Sequence, residues 1–191
     1  IVGNRGGNAA TGALAGGGGI GCDGPCPETG FHVYRTKITS NHGGSVMFGF
    51  SPIVGKAAAG GVYCIDCYAH LYACIVSGNH GGDGANAVAP GGGNSLFSGG
   101  AGGIEFVQAN GIPTITDCVI ENNKAGFAFQ GVLFAGAGGV HGGSPEIRGT
   151  MIRGNEGGYA IGQYLMQSAV NNGTVDGPGF AMGGTGGVFG L

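Results

Sequence analysis

The heptapeptide Ile-Thr-Ser-Asn-His-Gly-Gly, residues 38–44, decides the fold, because variants of it recur along the whole chain. Each variant has an aliphatic residue three positions before an Asn, and a variable residue and two small residues after it. The variants lie at residues 1–7, 38–44, 76–82, 120–126 and 152–158. Successive Asn residues are 37, 38, 44 and 32 positions apart. This spacing is too irregular for a helical repeat and favours coils with fixed strands and variable loops.

A second element, Gly-Gly-aliphatic, alternates with the first one five times. Its aliphatic residues are Ile20, Val62, Ile104, Val140 and Val188. The glycines directly before them are Gly19, Gly61, Gly103, Gly139 and Gly187. We expect each Gly-Gly pair to form a sharp corner with positive φ, which a Cβ atom would forbid.

Alignment on the Asn residues reveals columns of similar residues. Eight positions before the Asn lie Val33, Leu71, Ile115 and Ile147, and three positions before it lie Ile38, Val76, Ile120 and Ile152. Five positions before it lie Thr36, Cys74, Cys118 and Thr150. Side chains two positions apart share one face of a strand, so the positions three and five before the Asn are predicted to point inward.

These patterns predict an all-β fold, a parallel β-helix of about five coils with Gly-rich corner loops, in a single domain over residues 1–191. One coil cannot bury its apolar face alone, so the coils must stack. The predicted hydrogen-bonded ladder at one corner consists of Asn4, Asn41, Asn79, Asn123 and Asn155. The variable segments after each Asn are expected to add a third strand and an outward loop.

The composition excludes several other classes of protein. Gly accounts for 49 of the 191 residues, 42% of the residues are hydrophobic and 9% are charged. Gly at this density destabilises helices, which excludes a coiled coil, and the apolar content argues against disorder. The net charge of −3 and the lack of a basic cluster make nucleic acid a poor partner. No run of the sequence resembles a membrane span.

The alternation of the two elements resembles the repeats of right-handed parallel β-helix surface proteins, most of all the polymorphic outer-membrane-protein repeats. Residues 112–120 also resemble the pectate-lyase-like repeat of secreted bacterial proteins. The resemblance covers nearly the whole chain and implies a right-handed β-helix. Such proteins include adhesins, polysaccharide-degrading enzymes and structural proteins, so the fold does not define an activity.

Six cysteines in a chain of this length favour a secreted, oxidising setting. We expect two tight local disulfides, Cys22–Cys26 and Cys64–Cys67. A redox-active or zinc-binding CxxC is the alternative for the second pair. Cys74 and Cys118 are predicted to be buried thiols that act as small apolar residues.

The remaining polar candidates each have a plain structural alternative. His32 lies in register with His70, and His42 with His80; each pair could share a metal, but solvated ladder positions are the favoured interpretation. Residues 81–88 match one copy of the calcium β-roll motif, which functions in consecutive copies. We therefore expect no cofactor, with calcium as a minor possibility. The acids are scattered, and Glu121 with Arg153 is expected to form a surface ion pair.

The sequence as a whole predicts an extracellular or cell-surface protein that is structural or adhesive and not an enzyme. Its low charge suits packing against copies of itself in a filament or surface layer, or against flanking solenoid coils, a polysaccharide or a cell-surface matrix. We expect the chain to be a fragment or repeat unit of a longer or polymeric solenoid. The alternative is a carbohydrate-active enzyme, a pectate-lyase-like lyase or hydrolase. A flat-faced binder of ice or polysaccharide would require a uniform outward column, and no outward column is uniform.

Overall fold

The computed structural model is an all-β parallel β-helix, as the repeats predicted. The residues that the structure describes are 1–9, 15–47, 55–85, 96–107, 109–129, 132–134, 136–158, 160–161, 181–182 and 188–189. They contain 21 strands in five sheets, and every pair of neighbouring strands is parallel.

Each sheet collects one strand from every coil. The first sheet consists of β1 (Ile20–Asp23), β6 (Val62–Ile65), β11 (Ile104–Val107), β16 (Val140–His141) and β21 (Val188–Phe189). The second sheet consists of β2 (Phe31–Tyr34), β7 (Ala69–Tyr72), β12 (Thr114–Thr116) and β17 (Glu146–Arg148). The third sheet consists of β3 (Lys37–Thr39), β8 (Ile75–Ser77), β13 (Val119–Glu121) and β18 (Met151–Arg153).

The variable segments supply two further sheets. The fourth sheet consists of β4 (Val46–Met47), β9 (Gly84–Ala85), β14 (Ala128–Phe129) and β19 (Ala160–Ile161). The fifth sheet consists of β5 (Gly55–Lys56), β10 (Leu96–Ser98), β15 (Val132–Phe134) and β20 (Ala181–Met182). The chain thus makes four five-strand coils from β1 to β20, and β21 starts another. Val2, Arg5 and Ala9 pair in parallel with the first of these coils.

The strand registers match the aliphatic columns derived from the sequence. The column eight positions before the Asn runs through Val33, Leu71, Ile115 and Ile147, and each residue pairs with the next. The column three positions before the Asn likewise runs through Ile38, Val76, Ile120 and Ile152. Both columns point into one apolar cluster between the first three sheets. Stacking like on like therefore builds the main core.

The Asn column forms a continuous ladder of hydrogen bonds. From Asn41 onward, the side-chain Oδ1 of each Asn accepts from both the backbone N and the Nδ2 of the Asn one coil earlier, at 2.9–3.0 Å. The three central members, Asn41, Asn79 and Asn123, are each 1% exposed. The Nδ2 of Asn79 also donates to the Ile38 carbonyl at 2.8 Å, so the amide links its own coil to a strand of the preceding one.

The expectation of positive φ at the Gly-Gly corners is wrong. Gly19, Gly61, Gly103 and Gly139 do not have positive φ, and Gly187 lies outside the described residues. These glycines are needed for space. A Cβ on Gly19 would lie 2.6 Å from the Gly61 carbonyl oxygen and 2.8 Å from the Ile38 side chain. Positive φ recurs instead one and six positions before the Asn residues, at Gly3, Arg35, Ser40, Ala73, Gly78, Asp117, Asn122, Gly149 and Gly154.

A glycine-rich neck joins the main core to the fourth and fifth sheets. In each coil one segment leads from the third sheet to the fourth, and another leads from the fifth sheet back to the first. These two kinds of segment alternate in the neck and are joined by backbone hydrogen bonds of 2.9–3.1 Å. The donor N and acceptor O pairs are Gly16 to Gly7, Gly44 to Gly16, Ala58 to Gly44, Gly82 to Ala58, Gly100 to Gly82 and Gly126 to Gly100. A Cβ on Gly82 would overlap the Gly44 carbonyl oxygen. A second apolar cluster, rich in Ala, flanks this neck.

Candidate functional site

The outer surface of the second sheet carries the most ordered set of exposed side chains. Strand alternation points Val33, Leu71 and Ile115 into the core and the residues between them outward. We call the outward set the histidine–tyrosine face: it comprises His32, Tyr34, His70, Tyr72, Thr114 and Thr116. The predicted register of His32 with His70 is confirmed.

Ring contacts organise this face into two short columns. The His32 and His70 ring centroids are 4.9 Å apart, and those of Tyr34 and Tyr72 are 6.3 Å apart in an edge-on arrangement. Within one strand the His32 and Tyr34 rings are stacked, and His32 Nδ1 is 3.1 Å from the Tyr34 hydroxyl. Tyr34 is 59% exposed and Tyr72 is 42% exposed. The face therefore presents fixed aromatic surface to solvent.

Polar atoms continue the face beyond the rings. His70 Nδ1 is 2.8 Å from the Thr114 hydroxyl. The six residues of the histidine–tyrosine face, together with Leu71, line a groove of about 310 Å³. On the next coil the face becomes charged, with an exposed ion pair between Glu146 and Arg148 at 2.8 Å.

The surroundings of His70 on this face favour its neutral form. Burial lowers the pKa of His70 below its usual value of 6.5, and the neighbouring His32 lowers it further. The ring of Tyr68 packs edge-on against His70, and its hydroxyl donates to the Glu28 carbonyl. Thus His70 is surrounded by aromatic and hydroxyl groups that favour its neutral form.

The second pair of histidines also stacks, as its register predicted. The His42 and His80 ring centroids are 4.7 Å apart, and the rings are nearly parallel. Each Nδ1 donates to the carbonyl of the next glycine, Gly43 or Gly81, at 2.7 Å. These bonds fix the rings against the backbone of the neck.

Some of the described acids form ion pairs at the surface, and one forms a buried pair. Arg153 binds Glu121 at 2.8 Å on the surface, which confirms the predicted ion pair. Sequence reasoning missed the buried pair, in which His141 Nδ1 is 3.0 Å from Glu105 Oε1. Glu105 is wholly buried, and its other carboxylate oxygen accepts from the Ala101 backbone N. Both residues directly follow the Gly-Gly-aliphatic element, so alignment on that element would have paired them.

Tyr63 occupies the same column as Glu105, one coil earlier. Its hydroxyl is buried and makes no hydrogen bond to any described residue. Burial raises the pKa of Tyr63, and the charges of Glu105 and Asp23 raise it further. This phenol therefore stays protonated throughout the physiological range.

The predicted cysteine pairing is wrong. The disulfide joins Cys26 to Cys67, 41 positions apart, while Cys22 and Cys64 are free thiols. Stacking explains the difference, because Cys22 pairs with Cys64 across neighbouring coils and the following loops lie one above the other. Cys74 and Cys118 are buried free thiols, as predicted.

The calcium motif is only partly described by the structure. The Asp83 carboxylate accepts from the Phe127 backbone N at 3.1 Å and so links two coils. Residues 86–88 of the motif lie outside the described residues.

Comparison of the chain with models of protein families, with curated proteins and with solved structures gives no match. Among the residues that the structure describes, no helix has the length and apolar character needed to cross a membrane.

Proposed function

We propose that the protein is an extracellular β-solenoid that acts as a structural and adhesive module, without catalysis, and that it binds polysaccharide through the histidine–tyrosine face. The observation that carries the proposal is the exposed aromatic surface of that face. It stands on a continuous parallel sheet whose strands are about 4.8 Å apart, so its rings are held in fixed positions. Rigid aromatic side chains lose little conformational entropy on binding.

No outward column is uniform over all the coils, but this face stacks His on His and Tyr on Tyr across two of them. The chemistry of the face suits a carbohydrate polymer. A sugar ring has apolar C–H faces and a rim of hydroxyl groups. Tyr34 and Tyr72 offer both an apolar ring and a hydroxyl, and Thr114 and Thr116 add donors and acceptors. The groove is open to solvent, so it can admit part of a long polymer chain.

The resemblance to right-handed β-helix surface proteins of the polymorphic outer-membrane-protein and pectate-lyase-like kinds supports a location at the cell surface. The Cys26–Cys67 disulfide supports the same location, because disulfides persist in oxidising compartments. Exposed apolar side chains elsewhere, on Ile112 and Met151, support association between copies of the chain.

Co-sedimentation with insoluble polysaccharides tests the proposal. Wild-type protein is mixed with cellulose, chitin or a calcium-pectate gel, and the bound fraction is compared with that of Tyr34→Ala/Tyr72→Ala. Pairs of aromatic rings are worth about 0.5–1.5 kcal/mol beyond their buried area, and we take the same range for a ring packed on a sugar face, so the double variant should bind about tenfold more weakly. Phe127→Ala is the matched control, because it removes an equally exposed ring away from the face.

Soluble sugar released in the same tubes separates adhesion from catalysis. Binding without release is expected. Steady release of oligosaccharides by the wild-type protein would favour the carbohydrate-active enzyme instead. Equal binding by the wild-type protein and the folded double variant would show that the histidine–tyrosine face does not bind the polysaccharide.

A further inference from the structure

Three cysteine sulfurs meet beside the loops that connect the first sheet to the second. The Sγ atoms of Cys22, Cys26 and Cys67 all lie within 4.8 Å of one another. Cys26 and Cys67 form the disulfide, and the free Cys22 Sγ is 2.9 Å from the Cys67 Sγ. A free thiol in contact with a disulfide sulfur is the arrangement from which thiol–disulfide exchange begins.

We propose that these cysteines form a thiol–disulfide exchange site in which Cys67 is the shared sulfur. The Cys22 thiol loses its proton to solvent, and the thiolate attacks the Cys67 Sγ. The Cys22–Cys67 bond forms as the Cys26–Cys67 bond breaks, and Cys26 leaves as a thiolate. The exchange is internal and consumes neither oxidant nor reductant.

The exchange moves the free thiol from a strand to a loop. Cys22 lies in β1, whereas Cys26 lies between the exposed residues Pro25 and Pro27. A released Cys26 thiolate can attack a disulfide of another molecule. One sulfur of that molecule then joins Cys26 in a mixed disulfide, and the other leaves as a thiolate. The site is thus a place of covalent modification by disulfide-containing compounds.

The other cysteines are shielded from this chemistry. Cys64, Cys74 and Cys118 are at most 2% exposed. Burial raises the pKa of Cys64 to about 12 and that of Cys118 to about 11, so both remain thiols at neutral pH. Because the thiolate is the reacting species, modification is confined to the three-sulfur cluster.

The experiment incubates the native chain at pH 8 with glutathione disulfide, quenches with acid and maps the modified cysteines by mass spectrometry. We expect a glutathionyl group on Cys26, with a Cys22–Cys67 disulfide in the same molecules. Cys22→Ser should lose the modification completely, because it keeps the Cys26–Cys67 bond and lacks the attacking thiol. Cys118→Ser is the matched control and should be modified like the wild-type chain.

Cys26→Ser tests the Cys22–Cys67 pairing directly, because these two cysteines should join in a disulfide when Cys26 is absent. Modification of wild-type Cys22 alone, with the Cys26–Cys67 bond intact, would overturn the proposal. So would two free thiols in oxidised Cys26→Ser. A wild-type chain isolated with three reduced cysteines around a bound metal ion, visible in its native mass, would also overturn it.

Discussion

Replacing Asn79 with Ala removes the centre of the Asn ladder. The Asn79 Oδ1 accepts from both the backbone N and the Nδ2 of Asn41, each at 3.0 Å. Its Nδ2 donates to the Ile38 carbonyl and to the Asn123 Oδ1. Asn79→Ala therefore leaves two buried donors of Asn41 without their acceptor. The Ala side chain supplies no replacement.

The expected loss of stability follows from those two donors. A buried group left without its hydrogen bond costs about 1–3 kcal/mol. Some relaxation and water entry are expected, so we expect the free energy of unfolding to fall by about 2–4 kcal/mol. For a chain of this size, each kcal/mol corresponds to roughly 2–4 °C in melting temperature. The melting temperature should therefore fall by about 5–15 °C.

Thermal unfolding followed by circular dichroism measures this effect. Asn4→Ala is the matched control, since Asn4 lies in the same column but is exposed and donates a single side-chain bond to the ladder. Asp83→Ala removes one bond to a backbone amide and should also have a small effect. If Asn79→Ala and Asn4→Ala lower the melting temperature equally and only slightly, the ladder does not stabilise the stack and the reasoning fails.

Two further predictions concern the neck and the histidines. Gly82→Ala should lower the free energy of unfolding by about 1–3 kcal/mol or more, because its Cβ would overlap the Gly44 carbonyl. Gly7→Ala, whose Cβ meets nothing within 4 Å, should be nearly neutral, and a denaturant titration that ranks them equally would contradict the close packing of the neck. The pKa of His70 is lowered on folding, so the folded chain binds fewer protons and its stability should fall as the pH drops below about 6.5. Hydrogen exchange should show the coils of β2 and β7 loosening first at pH 5, and His70→Gln should reduce this loss; an unchanged pH dependence in His70→Gln would argue against the assignment.

The strands whose residues lie at a fixed distance before an Asn could be predicted from the sequence. Ile38, Val76 and Ile120 recur at a fixed distance before an Asn, and parallel stacking turns this recurrence into register. The fourth and fifth sheets were foreseen only as a third strand with an outward loop. Their strands lie in segments of variable length, which no fixed column aligns.

The wrong or missed predictions concern residues that are aligned by the Gly-Gly-aliphatic element and not by the Asn column. The role of Gly61 depends on the Gly103 carbonyl one coil later, a contact between coils that local turn rules do not contain. The Cys26–Cys67 disulfide and the Glu105–His141 pair both follow the register of the first sheet. That register is marked by the Gly-Gly-aliphatic element. Alignment on the Asn column alone does not reveal it, because the intervening loops differ in length.

Hydroxyl-radical footprinting on a polysaccharide that the protein binds tests adhesion by the histidine–tyrosine face most directly. Oxidation is measured residue by residue, with and without the polymer, and soluble sugar is measured in the same samples. We predict strong protection of Tyr34 and Tyr72, unchanged oxidation of Phe127 and no released sugar. Protection centred on another surface, or release of oligosaccharides during binding, would contradict the proposal that this β-helix is an adhesive module.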